Sequence, residues 1–197
     1  RGPFDCVIDM VCFTPEDARS AVRAFDGNTD QFIFCSTVDV YRSPPETYPI
    51  TEDTPRMQSG EGYAPDKARC ERIFEQAHDD GAFPVTIIRP WYTYGEGGGI
   101  LTTFGFGSEI IGRMREGKPL VVHGDGTAMW GACHRDDVAR AFATAVGNEA
   151  TLGEDYHATC EEWMTWNQSL RRAADAMDAS DPDLVHVPTD ALLEAVP

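Results

Sequence analysis

Residues 63–90 read YAPDKARCERIFEQAHDDGAFPVTIIRP. Ile73, Phe74 and Ala77 fall on one side of a helix that begins near Tyr63 and stops at Gly81. The chain then enters FPVTIIRP (83–90), a continuous apolar run that ends in proline and reads as a buried strand. A strand apolar on both faces needs cover on both, which a parallel sheet between helices provides.

The flanking sequence repeats this alternation. FDCVIDMVCF (4–13) is an apolar opening run, and Pro15, Glu16 and Asp17 suit the first turn of a helix. That helix presents Ala18, Val22 and Phe25 on one face and ends at Gly27. QFIFCST (31–37) is a short β-rich run, followed by the Pro-rich loop RSPPETYPITEDTP (42–55). After the glycine-rich GEGGG (95–99) the pattern predicts a helix near 103–116, a strand at PLVVHG and a helix near 136–146. A short strand at Tyr156–Ala158, a helix capped by Thr165 and running to about Met177, and a closing LVHVP complete the chain. Strands alternating with helices predict an α/β fold in three layers around a parallel sheet. Residues from about 95 mix short strands and loops and read as a cap over the sheet's carboxyl ends, where open α/β sheets bind ligands.

Composition narrows the function classes. The 197 residues suffice for one domain with a sizeable core. A net charge of −17, with no basic stripe, argues against binding to nucleic-acid phosphates. The sequence carries no polybasic patch or basic amphipathic helix, so an anionic membrane is not an expected partner either. The six cysteines lack C-x-x-C spacing, so no metal site or redox motif is predicted. Cys6, Cys12 and Cys35 lie in apolar runs as reduced thiols, and no apolar run reaches 18 residues; a cytoplasmic protein is expected.

Two lysines, Lys67 and Lys118, stand against fourteen arginines. Lys67 follows Tyr63 by four positions at a helix start, so the two side chains share one face. A phenol, with an ordinary pKa of about 10, is a poor base at neutral pH. An adjacent ammonium stabilises the phenolate and makes Tyr63 a candidate proton shuttle. A compact ammonium with three donors can also reach ribose hydroxyls, which a guanidinium fork fits differently. Ser36 and Thr37 sit at the carboxyl end of FIFCST, where a sheet directs hydroxyls into its crevice. An exposed tyrosine and lysine on a helix, and a strand-end turn, are the plain structural readings of the same residues.

The order FIFCSTVDVY, YAPDK, IIRPWYTYG, PLVVHGDGT and CHRDDVARAF resembles the extended short-chain dehydrogenase/reductase family, the NAD-dependent epimerase/dehydratase group. The resemblance spans nearly the whole chain. It implies a Rossmann-like domain, with residues 1–94 as the remainder of the core and 95–197 as mixed core and small substrate region. It also implies NAD or NADP, NAD being favoured, a sugar-like or polyhydroxylated small-molecule substrate, and a homodimer packed through the helices near 15–26 and 63–80.

Carried onto this sequence, the resemblance makes Thr37 the hydroxyl residue that bonds the substrate oxygen, Tyr63 the acid/base and Lys67 the ribose-holding residue that lowers the Tyr63 pKa. Ser36 neighbours the cofactor, Pro90, Trp91, Tyr92 and Thr93 form the loop at the nicotinamide, and Met10, Val11 and Cys12 pass beneath it. Val38 and Trp130 are candidate substrate contacts. His134 and Asp137 match a turn that reads as structural.

Two departures stand out. The sequence contains no G-x-x-G-x-x-G, and the resemblance places roughly 60 further residues, two β-α units, ahead of Arg1. Those units carry the pyrophosphate turn and the residue that selects NAD or NADP. Trp130 stands where nucleotide-sugar members carry a phosphate-holding arginine, and an aromatic ring cannot replace that fork. The ending resembles a branch that includes proteins similar to chloroplast stem-loop-binding proteins, in which Trp130, Trp163 and Trp166 would pack or wall a pocket. The competing reading is a non-catalytic binding or scaffold protein that reuses the fold.

Overall fold

The computed structural model describes residues 4–81, 83–98, 100–107 and 109–195. In chain order the strands are β1 (Val7–Asp9), β2 (Phe32–Cys35), β3 (Val85–Pro90), β4 (Thr93–Tyr94), β5 (Ile100–Thr102), β6 (Gly105–Gly107), β7 (Leu120–His123), β8 (Met129–Trp130), β9 (Cys133–His134), β10 (Asp155–Ala158), β11 (Met164–Thr165) and β12 (Leu184–Val187). The helices are α1 (Pro15–Phe25), α2 (Tyr63–Asp79), α3 (Glu109–Arg115), α4 (Arg135–Ala145), α5 (Trp166–Asp175) and α6 (Thr189–Ala195). None of these helices is long and apolar enough to cross a membrane.

The described residues divide into two compact units, those within 4–93 and 133–159, and those within 94–132 and 160–195. The first unit holds a parallel sheet in the order β1-β2-β3-β10. Register is set by Phe32 opposite Val7 and Val85, and by Ile87 opposite Asp155. The apolar runs read from sequence are its central strands, with Phe32, Ile33 and Phe34 of β2 fully buried. Helices α1 and α2 cover one face through Ala18, Ala21, Cys70 and Phe74. Phe74 packs on Phe34, Phe32 and Phe83 with ring centroids 4.8, 5.1 and 5.9 Å apart. Helix α4 is tied to the sheet by Gln31, whose amide donates to Ala145 O at 2.8 Å and accepts from Gly147 N at 2.8 Å.

Local sequence explains the helix starts. Thr14 and Asp17 form a capping box on α1, whose first residue is Pro15. His134 caps α4 by accepting from Asp136 N at 3.3 Å, in keeping with its structural reading.

The second unit pairs β7 with β12 in parallel, β8 with β11 antiparallel and β5 with β6 as a hairpin. Its core gathers Ile110, Met114, Leu120, Val122, Leu170 and Ala174. The expected helix near 103–116 is corrected here: residues 100–107 form the hairpin, and α3 begins only at Glu109. LVHVP is a strand as read, but it is followed by α6.

Candidate active site

The carboxyl ends of β1, β2 and β3 deliver the candidate residues of the first unit. Beyond β2 the chain turns through a single 3₁₀ turn at Val38–Val40, capped by Thr37, whose Oγ1 accepts from Asp39 N at 3.2 Å. Thr37 is buried, and its hydroxyl lies close enough to the Tyr63 phenol to favour the phenolate. Tyr63 is the first residue of α2, entered through Gly62 at φ 96°, a backbone conformation that favours glycine. Its ring is 50 % exposed and lies 6.4 Å from Phe13.

Tyr63 forms part of the wall of a cavity of about 520 Å³. Val38, Tyr41, Met57, Trp91 and His157 also line it. The structure therefore brings Val38, Tyr63 and Trp91 together, with Thr37 behind Tyr63.

Lys67, one turn along α2, is only 2 % exposed. Its ammonium donates to Cys12 O at 2.9 Å and Cys35 O at 2.5 Å, and sits 4.2 Å from the centroid of Phe34. The lysine thus joins the chain leaving β1 to the end of β2, with two of its three donors spent. Burial pulls its pKa down, opposed by the neighbouring thiols Cys35, Cys12 and Cys70. The expected lowering of the Tyr63 pKa is not what this geometry gives. Burial pushes the phenol up, the neighbouring Thr37 hydroxyl opposes this, and Asp39 adds to the rise.

The other candidates separate. Met10 and Val11 are exposed, while Cys12 is buried and offers its carbonyl to Lys67. Ser36 turns inward and donates its hydroxyl to Glu71 Oε1. Pro90 ends β3, Tyr92 O accepts from Cys133 N at 2.8 Å, and the exposed Thr93 donates to Trp91 O at 3.0 Å. Trp130 belongs to the second unit, stacked on Trp166 with centroids 4.7 Å apart, while Trp163 is exposed. Among the described residues no group of three or more His, Cys, Asp or Glu is placed to hold a metal ion.

Sequence reading missed a charged network beneath the cavity. Glu71, fully buried, accepts from Arg89 Nε at 2.8 Å and Nη2 at 3.0 Å, and from Arg56 Nη1 at 2.6 Å. Arg89 also pairs with Asp155 and donates from Nη1 to Tyr41 Oη at 2.7 Å. Tyr41 Oη lies 2.5 Å from His157 Nε2. Burial would lower the Arg89 pKa, but the hydrogen bonds to Glu71 and the surrounding anions hold it above its ordinary value. The signal was present: Glu71 sits four residues after Lys67 on the inner helix stripe, and Arg89 interrupts an apolar strand. A charge in either place requires a buried partner.

A family model, that of the NAD dependent epimerase/dehydratase family, matches residues 18–158. The 2'-dehydrokanamycin reductase of Streptomyces kanamyceticus is 28% identical over 173 residues, covering 88% of this chain and 48% of the relative. The chloroplast stem-loop binding protein of 41 kDa b of Arabidopsis thaliana is 26% identical over 183 residues, covering 93% of this chain and 45% of the relative. The chain thus spans about half the length of these relatives. A crystal structure of dTDP-glucose 4,6-dehydratase from Bacillus anthracis in complex with NAD shares the fold, with a TM-score of 0.75 and 19% identity over 93% of this chain and 60% of that one.

Proposed function

The chain belongs to the NAD-dependent epimerase/dehydratase family, and from that premise we propose that it forms the catalytic part of an NAD(P)-dependent oxidoreductase, epimerase or dehydratase. The substrate is a sugar-like or polyhydroxylated molecule that reacts at a carbinol carbon. The observation that carries this reading is the half-exposed Tyr63 phenol on the cavity wall, with the Thr37 hydroxyl beside it.

The residues present suit the nicotinamide-ribose end of a dinucleotide. The exposed Met10 and Val11 at the end of β1 offer an apolar shelf, and Lys67 keeps a third donor. For the pyrophosphate the 197 residues offer no G-x-x-G-x-x-G. A bound nicotinamide would supply or take the hydride. Thr37 holds the substrate oxygen, and Tyr63, kept protonated at neutral pH by its raised pKa, donates its proton to that oxygen in the reducing direction. Lys67 fixes the start of α2 against β1 and β2, so that Tyr63 faces the cavity. In the same reading the cofactor is NAD, and a homodimer packs through α1 and α2.

The test uses the full-length protein that carries these residues. Tyr63→Phe should lower turnover by about 10²–10⁴-fold while affinity for the dinucleotide, measured by calorimetry, is largely kept. Wild-type protein that binds neither NAD(H) nor NADP(H), or a Tyr63→Phe variant with full turnover, overturns the reading.

A further inference from the structure

Tyr41 and His157 share the cavity wall with Tyr63, and neither is used in the reading above. Hydrogen-bond chemistry assigns every proton between them. A guanidinium only donates, so Tyr41 Oη accepts from Arg89 Nη1 at 2.7 Å. Among the described residues the acceptor left for the Tyr41 proton is His157 Nε2 at 2.5 Å. The imidazole proton then sits on Nδ1, on the side facing Glu52, with Nδ1 3.8 Å from Glu52 Oε1. Glu52, from the Pro-rich loop, is anchored by accepting from His157 N at 2.8 Å. The order is carboxylate, imidazole, hydroxyl, the arrangement by which a histidine activates a hydroxyl.

Resting on the function proposed above, we propose that Tyr41, His157 and Glu52 form a second acid–base site on this cavity, which moves a proton at a substrate atom other than the oxygen served by Tyr63. In the forward step a substrate O–H or activated C–H bond breaks and its proton bonds to Tyr41 Oη. The Tyr41 proton passes to His157 Nε2, the bonding pair stays on the substrate, and an imidazolium forms beside Glu52. The reverse step returns the proton, with no change in oxidation state. Such a site separates reactions that also move a proton at a second position, such as dehydration, from hydride transfer confined to one carbinol carbon.

The electrostatics fit this role. Burial holds His157 below its ordinary pKa, and the Arg89 guanidinium adds to that, while Glu52, Asp155 and Glu71 pull the other way. Neutral at pH 7, the ring is free to accept. Burial pushes Tyr41 up to about 12 against the pull of Arg89, so the tyrosine releases its proton only in concert with the histidine.

Two measurements test the proposal. Ring ¹H–¹⁵N spectra of the chain should show His157 neutral at pH 7 with its proton on Nδ1. Its midpoint should rise in Tyr41→Phe, which removes the donor that favours the neutral ring. A ring protonated on Nε2 at pH 7, or a midpoint unmoved by Tyr41→Phe, overturns the assignment. In the full-length protein His157→Asn should lower kcat by about 10²-fold and remove the acid limb of the pH–kcat profile, with KM within about threefold. A His157→Asn enzyme that keeps the parent kcat and profile overturns the second site and leaves the Tyr63 reading intact. Loss of dinucleotide binding in the wild type overturns the Tyr63 reading instead.

Discussion

At the scale of the residue, Glu71 holds the floor of the cavity together. One carboxylate accepts from Arg89, Arg56 and Ser36, with no exposed side-chain surface. A buried pair of this kind adds little net stability over an apolar substitute, but loss of one partner leaves the other charged and desolvated. Glu71→Gln should therefore lower unfolding free energy by about 3–5 kcal/mol, measured by urea denaturation. The double variant Glu71→Met with Arg89→Met should lose less than the sum of the two single changes. Additive losses would show that the pair is not coupled. As candidates, Tyr63 and Lys67 were legible from their spacing at a helix start, and Thr37 from the resemblance. The sequence did not show that Lys67 spends two donors on Cys12 and Cys35 carbonyls, since those bonds depend on how β1 and β2 end side by side. Nor could it join Tyr41 to His157, which are 116 positions apart and meet only when β10 pairs with β3.

At the scale of the element, strands apolar on both faces and helices with clear caps were readable, because their signals are local. Thr165 is one case, its Oγ1 accepting from Gln168 N at 3.2 Å; on α1, where sequence reading named only Pro15, Glu16 and Asp17, Thr14 Oγ1 accepts from Asp17 N at 3.2 Å while Asp17 Oδ2 accepts from Thr14 N at 2.9 Å. The Thr14 hydroxyl, donating to Asp17 Oδ2 at 2.8 Å, and then the Thr14 and Phe13 amides hold the Asp17 carboxyl below its ordinary range, although the group is exposed. Thr14→Ala should cost about 1 kcal/mol, read as a lower urea midpoint with an unchanged slope. Thr14→Ser should retain most of the stability; equal losses in both variants would place the effect in the methyl group rather than the cap. The hairpin at 100–107 was not readable in this way. Two residues, Thr103 and Phe104, turn the chain, Gly105 takes φ 94°, and Thr102 Oγ1 donates to Gly105 O at 2.9 Å. Against a following run of helix formers, that short turn signal merges into one apparent helix.

At the scale of the whole molecule, the sheet's outer strand and the net charge act against each other. In the order β1-β2-β3-β10, β1 pairs with β2 on one side and, among the described residues, with no strand on the other. Along that side and just beyond it Ile8, Met10, Val11 and Phe13 are 43, 53, 73 and 48 % exposed. An edge with unpaired backbone groups and adjacent apolar side chains is a template for pairing with another chain. The net charge of −17 opposes such contact at long range, and salt screens it, with a Debye length of about 10 Å at 0.1 M. The 197-residue chain should therefore self-associate more strongly as salt is raised, seen as a growing mass-average in sedimentation velocity. Lysines on an edge block pairing, so the double variant Met10→Lys, Val11→Lys should stay monomeric at the same salt with an unchanged far-ultraviolet spectrum. The variant is less negative than the parent, so weaker repulsion alone would drive it the opposite way, towards association. Association that persists unchanged in the double variant would move the contact away from β1 and onto the outer faces of α1 and α2, where the dimer proposed above would form.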